Sequence, residues 1–142
     1  MLTTEDKTTA LMVAAGVGTR SPGEDAGTES EVLDAVKVAM KLGNDVNAVD
    51  AKGETAMHGA AYKHLPAVAE FLAQNGADIA VWNRKNKLGW TPLRIADGVA
   101  LDGVAFIRYP EAAAHLRELL QARGLPVPPV EWDGPAGKTA AQ

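Results

Sequence analysis

Neutral-pH chemistry would fall first to His58, His64 and His115, the three histidines of this 142-residue chain. Two histidines at i and i+4 on one helix can hold a metal ion. Neither His64 nor His115 has a partner at that spacing. Glu24, Asp25, Glu29 and Glu31 crowd one stretch, but they lack the Asp/Asn alternation of a calcium loop and read as a solvated acidic segment. Gly16-Val17-Gly18 is too short for a phosphate-cradling loop, and no Gly-x-Ser-x-Gly elbow occurs. Without cysteine there is no thiolate, disulfide or Cys-based zinc site. Acid–base work by Asp and Glu needs a cleft that shifts their pKa values, and nothing in the pattern builds one. The expectation is a non-catalytic chain with no cofactor and no metal.

Composition narrows the partners. A net charge of -4 without a dense Lys/Arg cluster argues against nucleic acid. No apolar run is long enough to cross a bilayer. Met1 to Ala10 is polar and acidic, with no signal-type stretch. A soluble monomer that does not enter membranes is expected; the compartment is not written in the chain.

The strongest pattern is a repeat. Thr9-Ala10-Leu11-Met12-Val13-Ala14, Thr55-Ala56-Met57-His58-Gly59-Ala60 and Thr91-Pro92-Leu93-Arg94-Ile95-Ala96 share a Thr, an apolar third residue and an Ala. Each precedes an apolar helical run that stops at a glycine: Gly43, Gly76 and Gly124. Asp45-Val46-Asn47 recurs 33 residues later as Asp78-Ile79-Ala80, and the same step takes Asp50 to Asn83. A period near 33 marks a stacked array whose units cannot bury their apolar faces alone. Thr55 suits a helix N-cap. Ala60 and Ala61 let two helices of a hairpin approach, and Val68, Phe71 and Leu72 give the second helix one apolar stripe.

Asp50 to Ala61 and Gly76-Ala77-Asp78-Ile79 resemble the ankyrin pattern D-x-x-G-x-T-P-L-H-x-A-A and G-A-D-V-N, with Ala56 in place of Pro and His64 in place of a turn glycine. The resemblance covers roughly residues 8 to 125 and is nearest to ankyrin units of long bacterial array proteins. It implies an all-α ankyrin-repeat solenoid of three helix–turn–helix units with finger loops, units at about 5–49, 50–82 and 83–125 within a domain 1–125. It also implies that His58 is a structural hydrogen-bonding residue tying neighbouring units together.

Two units are longer than the second. The first carries about thirteen extra residues, Thr19 to Glu31, after which Thr28 and Glu31 have capping-box spacing, with Ser30 as a rival cap. The third carries about twelve, Leu101 to Ala112, with Pro110 suited to the first turn of the next helix. Three more fall around Arg84 to Leu88. The two long insertions enter at the same turn, as caps of a short array or as walls of a groove. Residues 126–142 form a Pro-rich tail; Leu125 just before it and Val127, Val130 and Trp132 within it are placed to lie along the last helix pair as a cap.

In ankyrin arrays the finger tips and first helices line the concave face where partners dock. By register that implies Lys52, Glu54, Tyr62, Lys63, Trp82, Arg84, Lys85, Trp90 and Arg94 as partner-binding residues, with Ala51 and Lys87 beside them. Tyr, Trp and Arg combine apolar area with hydrogen-bonding tips. The expected function is protein–protein interaction. The alternative is a terminal cap of a longer array, since the first unit shows no preceding finger. A ligand or enzymatic site between the insertions ranks third.

Overall fold

Four threonines start four helices. The hydroxyls of Thr9, Thr28, Thr55 and Thr91 accept from the backbone N–H of Met12, Glu31, His58 and Arg94 at 3.2, 3.1, 3.4 and 3.1 Å. Each satisfies an orphan donor of a first turn, and Thr28, not Ser30, is the cap in the first unit. The computed structural model describes residues 3–18, 28–101, 104–105 and 110–130 of the chain, with backbone alone at 100, 101, 104 and 105. Its helices are α1 (Ala10–Ala15), α2 (Glu29–Lys41), α3 (Ala56–Tyr62), α4 (Pro66–Gln74), α5 (Ile79–Trp82), α6 (Pro92–Asp97) and α7 (Pro110–Ala122). Gly43, Gly76 and Gly124 lie beyond the second helices at φ of 89°, 97° and 67°, the left-handed region that ends a helix. His64 takes φ 57° at the turn where a glycine is usual.

The helices form three antiparallel pairs, α1–α2, α3–α4 and α6–α7, stacked in order. First helices touch first helices along α1–α3–α6, and second helices touch along α2–α4–α7. Among the described residues the fold is all-α apart from an isolated bridge between Thr3 and Thr9 and a short ladder in the third unit's insertion. There β1 (Ala100–Leu101) and β2 (Val104–Ala105) pair antiparallel, Ala100 opposite Ala105. Residues 19–27, 102–103 and 106–109, where the expectation of caps or groove walls falls, lie outside the described residues.

The first-helix layer packs unusually tightly between units one and two. A Cβ on Gly59 would stand 2.7 Å from the Val17 nitrogen and 2.9 Å from that of Gly16, so only hydrogen fits. All of α3 is buried. In the second layer α4 has no side-chain cap of its own; instead Glu29 of α2 accepts from Ala67 N–H at 3.1 Å. His115 of α7 meets Glu70 of α4 at 2.7 Å. Within the third unit Arg117 grips the buried Asp97 with two bonds of 2.8 and 2.6 Å, a fork geometry that suits a carboxylate.

The fingers correct two expectations. Thr4, Asp50 and Asn86 each begin the same tight turn, five residues before the capping Thr. The Thr4, Asp50 and Asn86 N–H groups donate to the carbonyls of Thr8, Glu54 and Trp90, and the Thr4, Asp50 and Asn86 side chains accept from the N–H of those same residues. Lys7, Gly53 and Gly89 share the left-handed position, at φ 62°, 75° and 85°. The first unit therefore has its own finger, at Thr4 to Thr8. Asp50 corresponds to Asn86, not Asn83, because the three extra residues precede the turn and wind into α5. The fingers are joined to one another: Ala51 N–H donates to the Asp6 carbonyl at 2.7 Å, and Lys87 N–H to the Lys52 carbonyl at 2.9 Å.

Candidate partner-binding face

Repeat equivalence sets one stripe on each first helix and the finger before it: Thr8, Met12 and Gly16 in unit one, Glu54, His58 and Tyr62 in unit two, Trp90, Arg94 and Gly98 in unit three. Spacing of four keeps each stripe on one helix face, and that face looks toward the following unit. His58 shows it best. Its Nδ1 accepts from the Thr55 N–H at 3.2 Å and lies 2.9 Å from the Thr55 hydroxyl, closing a reciprocal cap. That leaves the proton on Nε2, which donates to the Arg84 carbonyl at 3.0 Å. His58 thus ties unit two to unit three, as the resemblance implied.

Glu54 and Tyr62 complete the junction. The Tyr62 hydroxyl donates to Glu54 Oε1 at 3.1 Å, and the Asn86 amide reaches both Glu54 Oε1 and the Tyr62 oxygen, at 3.1 and 3.2 Å. Burial pushes the Glu54 carboxyl up to about 7, with Asp50 adding to the rise and the bonds from Tyr62 and Asn86 opposing it. Burial likewise raises Tyr62, holding it as a neutral donor, and lowers His58 and His64 to about 4. At the first junction the same place holds a lighter contact, Thr8 hydroxyl to Asp50 carboxylate at 3.1 Å.

These contacts sort the sequence-derived site residues. Glu54, Tyr62 and Trp82 are 7%, 6% and 3% exposed, buried where the second unit meets the third. Trp82 lies at the end of α5 inside the main apolar cluster. Lys52, Arg84 and Lys85 are exposed on the fingers, with Lys87 beside them. Lys63, Trp90 and Arg94 are half-buried. Lys52 pairs with Asp6 at 3.5 Å in the open, an interaction worth little. The Arg84 Nε donates to the Ala80 carbonyl at 2.9 Å, which lays that side chain along α5.

Sequence reasoning did not find Asn86, nor a pocket of about 230 Å³ at the far end of the finger side. Lys85, Leu93 and Arg94 line it together with Pro128 and Pro129 of the tail. The signal for Asn86 was present in its distance from Thr91, equal to that from Asp50 to Thr55. The pocket depends on where the tail lies. Leu125 and Val127 pack on the core, whereas Val130 is 54% exposed; Trp132 falls outside the described residues.

Among the described residues no group of His, Cys, Asp and Glu is arranged to hold a metal ion, and no helix is long and apolar enough to cross a membrane. A family profile described as ankyrin repeats (3 copies) matches residues 26–109. A comparison with curated proteins found no match. Ankyrin repeats are generally protein–protein interaction modules and typically non-enzymatic. The match spans more than half of the sequence, and the stacked helix pairs, registered fingers and inter-unit histidine agree with it: the chain belongs to the ankyrin repeat family.

Proposed function

We propose that the chain is a non-catalytic binding module that docks a protein partner on its concave finger and first-helix side. The observation that carries this reading is the register of three fingers, hydrogen-bonded tip to tip from Asp6 through Ala51 and from Lys52 through Lys87. A surface fixed in this way is ordered before a partner arrives, so little freedom is lost on docking. Contact is assigned to Lys52, Lys63, Arg84, Lys85, Trp90 and Arg94, the accessible members of the expected set. A photo-cross-linking residue placed at position 52 or 85 should yield partner adducts, and the same residue at Lys41 or Gln121, on the second-helix layer, should not. Adducts from 41 and 121 alone would remove this face.

A second reading, the terminal cap of a longer array, has its own observation. Val13 is 52% exposed, whereas its equivalents are buried: Gly59 against Gly16 and Val17 of the preceding unit, and Ile95 at 0% exposure. Val38 is 55% exposed, where its equivalent Phe71 lies under Lys37 of the unit before it. A further helix pair stacked there would cover both. Fusing a consensus ankyrin unit ahead of Thr4 should raise the unfolding midpoint under that reading; an unchanged midpoint speaks against it.

A further inference from the structure

Two carboxyl groups stand close together at the second finger and are held differently. Both oxygens of Asp50 are engaged: Oδ1 accepts from the N–H of Lys52 and Glu54, each at 2.9 Å, and Oδ2 from the Thr8 hydroxyl at 3.1 Å. Glu54 is 7% exposed. Its Oε1 accepts from the Tyr62 hydroxyl and the Asn86 amide, whereas its Oε2 is covered and has no hydrogen-bond partner among the described residues. The two donors to Oε1 differ in what carries them. Tyr62 belongs to α3, which is buried throughout. Asn86 comes from the next unit and also shapes the third finger: its Oδ1 accepts from the N–H of Leu88 and Trp90 at 2.9 and 3.0 Å. One side chain thus sets the turn of the third finger and touches the buried carboxyl of the second. At the first junction Thr8 stands in the place of Glu54 and brings no charge.

We infer that Glu54 is a proton-operated latch on the third finger, closed while its carboxyl is neutral and loosened when it ionises. A neutral carboxyl offers Oε1 to both donors and is cheap to bury. An ionised one keeps those bonds but puts charge on Oε2, and a charged oxygen buried without a donor is costly. Relief comes from admitting solvent. The third finger is the wall that can move while α3 stays packed, and its tip is joined to the second finger through the Lys87 N–H and the Lys52 carbonyl. The surrounding charges act in both directions: Asp50 opposes ionisation and Lys52 favours it, but burial dominates and pushes the carboxyl up to about 7. Of the elements packed on α3, α1 and α5 carry no ionisable side chain. Glu70 of α4 meets His115, and Arg94 and Asp97 of α6 bond to the Gly98 carbonyl and Arg117. His58, one turn from Glu54, is itself held low by burial, and Arg84, Lys85 and Lys87 lie exposed along the third finger. The closed junction therefore binds a proton that the opened one releases, so opening grows as pH rises from 4.5 through 7. The docking face is then most firmly assembled in mild acid. The inference rests on the docking reading for the face it governs, whereas the latch itself is internal to the chain.

The test is residue-resolved NMR on the full chain without a partner, so its outcome is separate from that of the cross-linking. The Glu54 carboxyl carbon should titrate with a midpoint near 7, and the Asn86 side-chain amide and the Lys87 N–H should shift along the same curve. Amide exchange at Lys87 is then compared between the wild type and Glu54→Gln. Their ratio cancels the intrinsic pH dependence of exchange and the opposing titration of His58, which both proteins share. That ratio should rise by about tenfold or more from pH 5 to pH 7. The same ratio at Ala51, whose bond to the Asp6 carbonyl lies at the first junction, should stay flat. If Glu54→Gln does not fold, the wild-type titration decides alone: Asn86 and Lys87 resonances that ignore the Glu54 midpoint overturn the latch. A Glu54 midpoint near 4.5 overturns it, and so does a midpoint near 7 with a flat Lys87 ratio. An equal rise at Ala51 overturns it as well, because the whole fold would then loosen and not the third finger. Each of these failures leaves the docking reading to its own cross-linking test.

Discussion

The two junctions of this array use the same three positions in opposite ways. Between units one and two the stripe is Thr8, Met12 and Gly16, and the backbone of Gly16 and Val17 presses directly on Gly59. Between units two and three it is Glu54, His58 and Tyr62, large polar groups buried with Asn86 and the Arg84 carbonyl as partners. Small residues bring helices close enough for backbone to touch backbone. Large polar ones hold units together through a buried hydrogen-bond network, in which Glu54 Oε2 has no hydrogen-bond partner among the described residues. The first junction should therefore be sensitive to volume and indifferent to pH, and the second the reverse.

The largest expected effect tests the first half of that contrast. Gly59→Val places carbon against backbone nitrogens, which no side-chain rotation can relieve. Overpacking of this kind costs about 3 kcal/mol, visible as a lower urea midpoint. A wild-type midpoint would show that the first helices are not so close.

The next effect is pH-dependent and belongs to the second junction. The Glu54 carboxyl is raised from 4.5 to about 7 in the folded chain, so the folded state holds its proton more tightly than the unfolded state. Its stabilising share is complete below pH 4.5 and is lost as pH rises through 7. His58 and His64 act in the other direction. Both are lowered from 6.5 to about 4, so stability is gained as pH rises between those values. Glu54→Gln should thus leave the acid-side rise and abolish the fall toward neutrality, and its advantage over the wild type should grow by a few kcal/mol, about 2 to 3, from pH 5 to pH 8. Equal profiles for the two proteins would contradict a neutral Glu54. His58→Ala, which removes a cap and the bond to the Arg84 carbonyl, should cost about 2 kcal/mol at neutral pH. The smallest effect is at the base of the fingers, where Asn47 bridges the Gly76 carbonyl and the Asp78 N–H at 3.0 and 2.7 Å in partial exposure. Asn47→Ala should cost about 1 kcal/mol, and no change in the melting curve would show that bridge to be idle.

The sequence made the local signals plain. Threonine caps, terminal glycines and the apolar stripe of α4 depend on a few neighbouring residues, and the histidine followed from the family pattern. Two things were hidden by residue type. Lys7 occupies a left-handed position that Gly53 and Gly89 advertise openly, so the first finger went unread although Thr4 stands at the right distance from Thr9. The three residues inserted before Asn86 shifted the phase, and Asn83 matched by type at the wrong place. Burial of Tyr62, Glu54 and Trp82 was missed because aromatic and charged residues at variable positions suggest contact surface. For Glu54 and Tyr62, spacing at i and i+8 with His58 at i+4 was the counter-signal. The pocket under Pro128 and Pro129 joins the tail to unit three, and no local pattern encodes that meeting.

The finger-on-finger register is tested most directly by amide hydrogen exchange at Ala51 and Lys87, read residue by residue by NMR. Both residues have exposed side chains at loop tips, where unpaired amides would exchange fast. Because they donate to the Asp6 and Lys52 carbonyls, both should be strongly protected, Lys87 more so because the buried Glu54–Tyr62–Asn86 contacts lie beneath it. Exchange of both amides at the rate of an unstructured chain would mean that the fingers are not stacked and that the docking face does not exist as an ordered surface.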